Sequence, residues 1–271
     1  MLIANPKGNY RFIAGRNPFS SGAVADEGYE IVHAAFDPML PLDAGFARIE
    51  THLRSCGRPL NALSGMELRI PQALSLEGFR HFNQGYVQRF AKWGVQVGDL
   101  NPVARTNVAV EINPAPVPCV FGFSYTVASS AASQSTSSSA SSQSSPASPA
   151  SQRRATFVLS GAPEVRGSGA GERTVVAPGD VSRDGMRKKI VEVLSSLGAL
   201  LQEVGASWGD ATAMDVYTVQ DIHPHLADLL LREVPSANVR GITWHYARPP
   251  VADADFEMGV RRVLQEIILP V

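Results

Sequence analysis

Residues 128–152 read ASSAASQSTSSSASSQSSPASPASQ. These 25 positions hold 13 serines and 6 alanines, and none of them is aromatic, charged or a β-branched aliphatic residue. Such a stretch buries too little apolar surface to offset the entropy lost when a backbone becomes ordered. It therefore predicts a flexible linker, taken as residues 128–153, between a first domain of residues 1–127 and a second domain of residues 154–271.

The two segments on either side of this linker show the same order of predicted elements. Apolar residues recur at helical spacing from Phe46 to Cys56 and from Phe79 to Phe90, and again from Met186 to Val204 and from Ile222 to Leu230. The predicted strands are 11–15, 63–70, 103–112 and 119–127 in the first segment, and 155–161, 211–219, 239–246 and 256–263 in the second. The repeated order predicts two α+β sandwiches, each β-α-β-α-β-β, that arose by duplication.

Composition narrows the class of protein. The formal net charge of the 271 residues is −1, and no cluster of Lys and Arg is interleaved with aromatic residues, which argues against a nucleic-acid partner. No apolar run reaches the length of a membrane helix, and the first residues hold no signal-peptide core. The two cysteines, Cys56 and Cys119, fit a reducing compartment. We therefore expect a cytoplasmic protein that does not act on membranes.

Each segment places an arginine inside a predicted strand near its end. These are Arg105, within 101–108 (NPVARTNV), and Arg240, within 237–244 (ANVRGITW). An arginine among apolar and β-branched residues must be paired, and its planar fork suits bidentate binding of a carboxylate. The alternative is a structural ion pair with an acid across a subunit contact. Recurrence of the arginine in both segments favours a shared substrate site.

Acidic and aromatic residues follow the second arginine. Asp255 and Glu257 are two positions apart in a predicted strand and so share one face. If that face looks toward Arg240, one carboxylate could hold a water molecule while the arginine holds an acid substrate. The spacing equally allows both acids to pair with Arg261 or Arg262 at the surface, so the two interpretations stay open.

The second segment resembles the YjgF/Rid family of imine and enamine deaminases. The resemblance rests on Phe157–Gly161, on Val216–Asp221, and on the arginine-bearing strand followed by the acidic strand. The first segment resembles the family more weakly, through residues 103–107. The resemblance implies two chorismate-mutase-like domains in tandem that assemble as homotrimers, with sites in clefts between neighbouring domains.

The resemblance also implies roles for particular residues. Arg240, and Arg105 in the first copy, fall on the family arginine that binds the substrate carboxylate. Asp255 falls on the family acid that positions the hydrolytic water, and Glu257 is the next acid on the same face. Which of the two acids serves is left open.

The sequence departs from the family pattern at several positions. A cysteine often follows the family arginine by two residues, and Ile242 and Asn107 stand there instead; Asn107 is kept as a candidate for substrate binding. The first copy has Val120 and Gly122 where the acids are expected. The first copy is therefore not expected to catalyse the reaction alone, although it could complete a neighbour's cleft.

These residues, taken with what the resemblance implies, predict a hydrolytic deaminase. Its substrate would be a small carboxylate-bearing imine or enamine, either 2-aminoacrylate-like or 2-aminomuconate-like, and its products ammonia and a 2-oxo acid. Trp244 and Tyr246 offer a flat surface that favours the larger 2-aminomuconate-like compound. A protonated imine is already electrophilic, so no metal or organic cofactor is expected. The alternatives are a non-catalytic binding or scaffold protein and a hydrolase of another C–N bond.

Overall fold

The computed structural model describes residues 1–15, 18–129, 154–167 and 174–271. The strands before the serine-rich stretch are β1 (Leu2–Asn5), β2 (Tyr10–Ile13), β3 (Gly22–Ala25), β4 (Tyr29–Pro41), β5 (Leu63–Ile70), β6 (Ala104–Val110) and β7 (Cys119–Ala128). Those after it are β8 (Phe157–Leu159), β9 (Ala162–Pro163), β10 (Val165–Arg166), β11 (Thr174–Val175), β12 (Ala213–Tyr217), β13 (Thr243–His245), β14 (Ala247–Arg248), β15 (Glu257–Arg262) and β16 (Glu266–Pro270).

Three helices are longer than ten residues: α1 (Leu42–Ser55), α2 (Leu76–Trp93) and α3 (Arg183–Glu203). The shorter helical segments are α4 (His223–His225), a π-helical turn (Leu226–Leu230), α5 (Leu231–Glu233) and α6 (Ala237–Arg240), with 3₁₀ turns at Leu60–Ala62 and Trp208–Asp210. No helix in the described part of the chain is long and apolar enough to cross a membrane.

The strands form two large sheets, and each sheet takes strands from both halves of the chain. Sheet I has the order β1-β2-β3-β8-β15-β12-β13, and β9 pairs with β15 beside this path. Sheet II has the order β14-β6-β5-β7-β4-β16. Strand β3 therefore joins the N-terminal hairpin to the C-terminal sheet through β8, while β14 and β16 extend both edges of the N-terminal sheet.

The predicted fold of two self-contained α+β sandwiches in tandem is wrong. The protein is a mixed α/β structure with large sheets to which both halves contribute. The 13-residue strand β4 is buried along most of its first half and pairs with both β7 and β16, yet the sequence analysis assigned it no element. Strand β8 has three residues, and its pairing with β3 covers an edge that would otherwise be exposed.

The linker prediction falls almost entirely outside the described residues. Ala128 ends β7, and residues 130–153 are not described. The division into domains 1–127 and 154–271 stays a prediction. In the structure, each of the two large sheets contains strands from both halves.

Helix α2 forms where the sequence predicted it. Ser75 is its N-cap, and the Ser75 side chain accepts a hydrogen bond from the backbone N–H of Gly78. The helix ends at Gly94, which adopts a left-handed conformation with φ of 63°. Tyr86 and Phe90 pack into the core of sheet II. Ser75 therefore sets the start of α2, and the aromatic face of α2 sets the rotation of the helix about its own axis.

Helix α3 covers sheet I in the same way. Ser182 caps it, and its apolar face, which includes Ile190 and Leu197, packs on Phe157 and Phe256. At α1, by contrast, the N-cap position is Pro41, which provides no side-chain cap, and Asp43 lies inside the first turn. The carboxylate of Asp43 still lies near the positive end of the helix dipole.

Candidate active site

A cleft of about 1380 Å³ lies between α2 and α3. It is lined by Arg105 and Asn107 of β6, which belongs to sheet II, and by Glu257 of β15, which belongs to sheet I. Helix α2 contributes Phe79 and Asn83 to its wall. The cleft therefore brings together polar residues that are about 150 positions apart in the sequence.

Arg105 is a buried cation with unused hydrogen-bonding capacity. Its side chain is 7% exposed, and Nη1 donates to Oδ1 of Asn83 over 2.8 Å. The guanidinium carbon lies 3.8 Å from the centroid of the Phe19 ring. Burial lowers the pKa of Arg105 to about 10, so the side chain stays charged at neutral pH. Its Nε has no hydrogen-bond partner in the described part of the chain, which leaves a donor for an anionic ligand.

Glu257 is the acid of the cleft. It is 2% exposed, and burial raises its pKa to about 8, an effect that Arg105 opposes and Glu164 reinforces. Its Oε2 has no hydrogen-bond partner among the described residues. A Cβ at Gly161 would overlap Oε1 of Glu257, so the glycine makes room for the carboxyl group. At neutral pH most Glu257 side chains carry a proton that they can donate and later recover.

Asn107 completes the unpaired polar set. It lies two positions after Arg105 in β6 and is buried. Neither Oδ1 nor Nδ2 of its amide has a hydrogen-bond partner within the ranges that the structure describes. Buried polar groups in folded proteins are nearly always paired, so unpaired groups that line a cleft are typical of a ligand site. The amide offers a donor and an acceptor beside the arginine.

Asp255 has a different environment from Glu257. Its Oδ2 accepts a hydrogen bond from Nζ of the fully buried Lys189 over 2.8 Å, and the same Nζ lies 3.3 Å from Oε1 of Glu164. Glu164 in turn accepts hydrogen bonds from the backbone N–H groups of Asp255 and Phe256. Asp255 is not among the residues that line the cleft. These contacts fix the chain just before Glu257.

The second predicted arginine lies elsewhere. The strand predicted from residue 239 is wrong at its start, because the N–H of Arg240 donates to the carbonyl of Ser236 and closes the short helix α6. Arg240 is exposed and does not line the cleft. Trp244 and Tyr246 do not line it either; Nε1 of Trp244 donates to the Thr218 carbonyl. The roles predicted for these three residues remain predictions.

Arg261 and Arg262 bind groups other than the two candidate acids, Asp255 and Glu257. Arg261 pairs with Asp215 and Glu266, and Nη1 of Arg262 donates to the carbonyl of Asp210. The open interpretation that Asp255 and Glu257 pair with these arginines at the surface does not match the structure. Of the two acids, one pairs with a buried lysine and the other faces the cleft.

A buried ion cluster lies between the two sheets beside the cleft. Nε2 of His33 lies 3.0 Å from Oε1 of Glu67, and Arg69 and Arg261 approach the same carboxylate. Burial alone would raise the pKa of Glu67, but His33 and the two arginines hold it well below its usual range. In the described ranges no group of three or more His, Cys, Asp and Glu side chains is placed to hold a metal.

Asn83 and Gly161 were not identified from the sequence. Asn83 interrupts the apolar face of α2 four residues after Phe79, and a polar residue at such a position is a signal that could have been used. Gly161 gives no such signal, because its role depends on the approach of Glu257 from another strand. The pairing of Arg105 with Glu257 likewise depends on how the sheets pack.

Comparison with known proteins gives a similar solved structure and a similar curated protein. The fold is similar to that of a chorismatase crystal structure, with a TM-score of 0.50 and 13% sequence identity over 90% of this chain and 77% of that one. At this identity the similarity shows the fold alone. The 2-amino-5-chloromuconate deaminase of Comamonas testosteroni is 35% identical over 263 residues, which is 97% of this chain and 96% of the relative. The protein is therefore an enzyme of the deaminase class.

The family follows from a second match. The family model for the 2-aminomuconate deaminase CnbZ matches residues 2–267. The chain belongs to the CnbZ family of 2-aminomuconate deaminases.

This assignment corrects the resemblance drawn from the sequence. The identification as a tandem YjgF/Rid member is wrong, because the matching family is CnbZ and the similar solved structure is a chorismatase. The matched stretches, Phe157–Gly161 and Val216–Asp221, are short strand and strand-end segments that many folds can contain. The expected trimer came with that resemblance, and the tandem repeat came from the repeated order of predicted elements. These matches support neither. The prediction of a deaminase related to 2-aminomuconate is confirmed at the level of the family.

Proposed function

We propose that this protein hydrolyses a 2-aminomuconate-like enamine, releasing ammonia and leaving an unsaturated 2-oxo dicarboxylic acid. The observation that carries the proposal is one cleft lined by a buried arginine with a free donor and by a buried glutamic acid whose pKa lies near 8. The first would bind the substrate carboxylate and the second would move the protons.

Arg105 binds the carboxylate next to the reacting carbon. Asn83 holds Nη1 of the guanidinium, which fixes the plane of the fork and leaves Nε to donate to the ligand. Asn107 is close enough in β6 to serve the amino group of the same substrate, because its Oδ1 accepts and its Nδ2 donates. A carboxylate and an amino group on adjacent carbons match this pair of residues.

Glu257 supplies and recovers the protons. Its carboxyl proton goes to C3 of the enamine, and the lone pair on nitrogen forms the C2=N bond of an iminium ion. The carboxylate then takes a proton from water while the water oxygen bonds to C2 and the C=N electrons return to nitrogen. The resulting carbinolamine is protonated on nitrogen by Glu257, the C–N bond breaks, and the hydroxyl proton returns to Glu257 as the carbonyl forms. One water is consumed, and one ammonia is released.

Substrate binding itself favours the protonated acid. In the free protein the charges of Arg105 and, to a smaller extent, Arg69 lower the pKa of Glu257. A carboxylate bound to Arg105 would neutralise the charge of Arg105 and so raise the pKa of Glu257 further. The proton donor is therefore retained in the complex in which it is needed.

The proposal is tested by ammonia release from 2-aminomuconate generated in the assay. We expect one equivalent of ammonia for each substrate consumed, and a loss of about 100-fold or more in rate for Glu257→Gln. Glu233→Gln, at an exposed acid outside the cleft, is the matched control and should retain the wild-type rate. A wild-type rate for Glu257→Gln would contradict the proposal.

A further inference from the structure

The cleft carries a second positive charge away from its buried arginine. Among the described residues that line it, the cationic side chains are Arg105 and Arg80. Arg80 lies on α2 and is exposed, whereas Arg105 is buried. One wall of the cleft thus ends in a cation that is accessible to solvent.

Arg80 has no partner among the residues that the structure describes. The described residues form no ion pair, hydrogen bond or ring contact with it. On the same helix Arg89 pairs with Asp43. An arginine without a partner at the edge of a cleft can bind an anion without first breaking an ion pair or a hydrogen bond. Glu77 lies three residues before Arg80 on α2 and Asp253 lines the same cleft, but neither carboxylate forms an ion pair with Arg80.

The geometry relates the two arginines through one helix. Arg80 and Asn83 both face the cleft and are three residues apart on α2, a separation of about 4.5 Å along the helix axis. Asn83 in turn holds the guanidinium of Arg105. The two cations therefore belong to one continuous wall, with Arg105 at the buried end and the long, flexible side chain of Arg80 at the exposed end.

We propose that Arg80 binds the second carboxylate of the substrate and so selects dicarboxylates over monocarboxylates. The proposal rests on the proposed function, which places the first carboxylate on Arg105. A diacid would lie along the α2 wall with one carboxylate buried and the other at the cleft mouth. Arg80 contributes to binding and not to the proton transfers, which occur at the buried end.

The effect of Arg80 should appear in substrate affinity. Because water screens an exposed ion pair, its loss should raise the KM for a diacid by only about 3- to 10-fold and change kcat by less than about twofold. For the same reason the KM of the wild type for a diacid should rise with NaCl concentration, and Arg80→Gln should reduce that dependence.

The test compares 2-aminomuconate with its derivative in which the distal carboxylate is a methyl ester. Arg80→Gln should raise the KM for the diacid and leave the KM for the ester unchanged, while Arg80→Lys should recover part of the affinity. Arg232→Gln, at an exposed arginine outside the cleft, should change neither KM. Equal effects of Arg80→Gln on both substrates, or no effect on either, would overturn the proposal.

Binding of unreactive muconate, measured by calorimetry, separates this proposal from the proposed function. If Arg80 binds a distal carboxylate, Arg80→Gln should weaken muconate binding by about 3- to 10-fold relative to Arg232→Gln, whether or not the protein releases ammonia. Unchanged muconate binding in Arg80→Gln would refute the role of Arg80. Absence of ammonia release by the wild type would refute the proposed function alone.

Discussion

Replacement of Arg105 by lysine tests the buried end of the cleft. Lysine keeps a positive charge but lacks the planar fork, so it cannot hold Asn83 and a carboxylate in the same geometry. The loss of charge-assisted hydrogen bonding should cost roughly 1.5–3 kcal/mol of transition-state stabilisation, which is about 10- to 150-fold in kcat/KM. Burial already lowers the pKa of the Arg105 guanidinium, and the same burial would bring a lysine closer to its neutral form.

The assay is initial-rate ammonia release at pH 7 with the diacid substrate. Arg240→Lys provides the comparison, because Arg240 was predicted from the sequence to bind the carboxylate but is exposed at the end of α6. We expect Arg105→Lys to lose activity and Arg240→Lys to retain it. The reverse ranking would refute the assignment of the cleft as the active site and would favour a site at Arg240.

Two further substitutions test how the cleft is built. Gly161→Ala should lower kcat about 10-fold or more, because the added Cβ would displace the Glu257 carboxyl group. Gly85→Ala, at an open helical position, should leave kcat unchanged and raise the free energy of unfolding by about 0.5–1 kcal/mol. Equal kcat values for the two variants would contradict this packing. Lys189→Met should lower the free energy of unfolding by about 3–5 kcal/mol in urea titrations at pH 7, because the buried Glu164 and the partly buried Asp255 lose their cation. An unchanged midpoint would be inconsistent with that role.

The long helices could be predicted from sequence because their signals are local. The apolar residues of α2 and α3 recur at helical spacing, and a serine stands at the N-cap of each helix. The sheets could not be predicted in the same way. The pairing of β3 with β8 joins residues more than 130 positions apart, and nothing in either strand's own sequence specifies that partner. The assumption of two matching halves then left β4 without an assignment.

At the candidate site, too, the sequence identified residues by type but did not reveal how they are arranged in space. Arg105 and Glu257 were named from sequence because an arginine and an acid are unusual residues inside a strand. Asn107 was named because it stands where the resembled family often has a cysteine. Their grouping was not foreseen: the sequence interpretation joined Glu257 to Arg240, whereas the structure brings Arg105 and Glu257 to one cleft from different sheets. Which acid faces the cleft depends on Lys189, whose pairing with Asp255 only the packing of α3 on sheet I reveals.

The dependence of kcat/KM on pH tests the central claim most directly. The raised pKa of Glu257 means that its carboxyl group holds a proton below about pH 8 and loses it above that value. Because the first step needs the protonated form, kcat/KM of the wild type should be level from about pH 6 to 7 and fall above pH 8. The residual activity of Glu257→Gln should lack this decline. A wild-type profile that rises through pH 8, or a decline that persists unchanged in Glu257→Gln, would contradict the account.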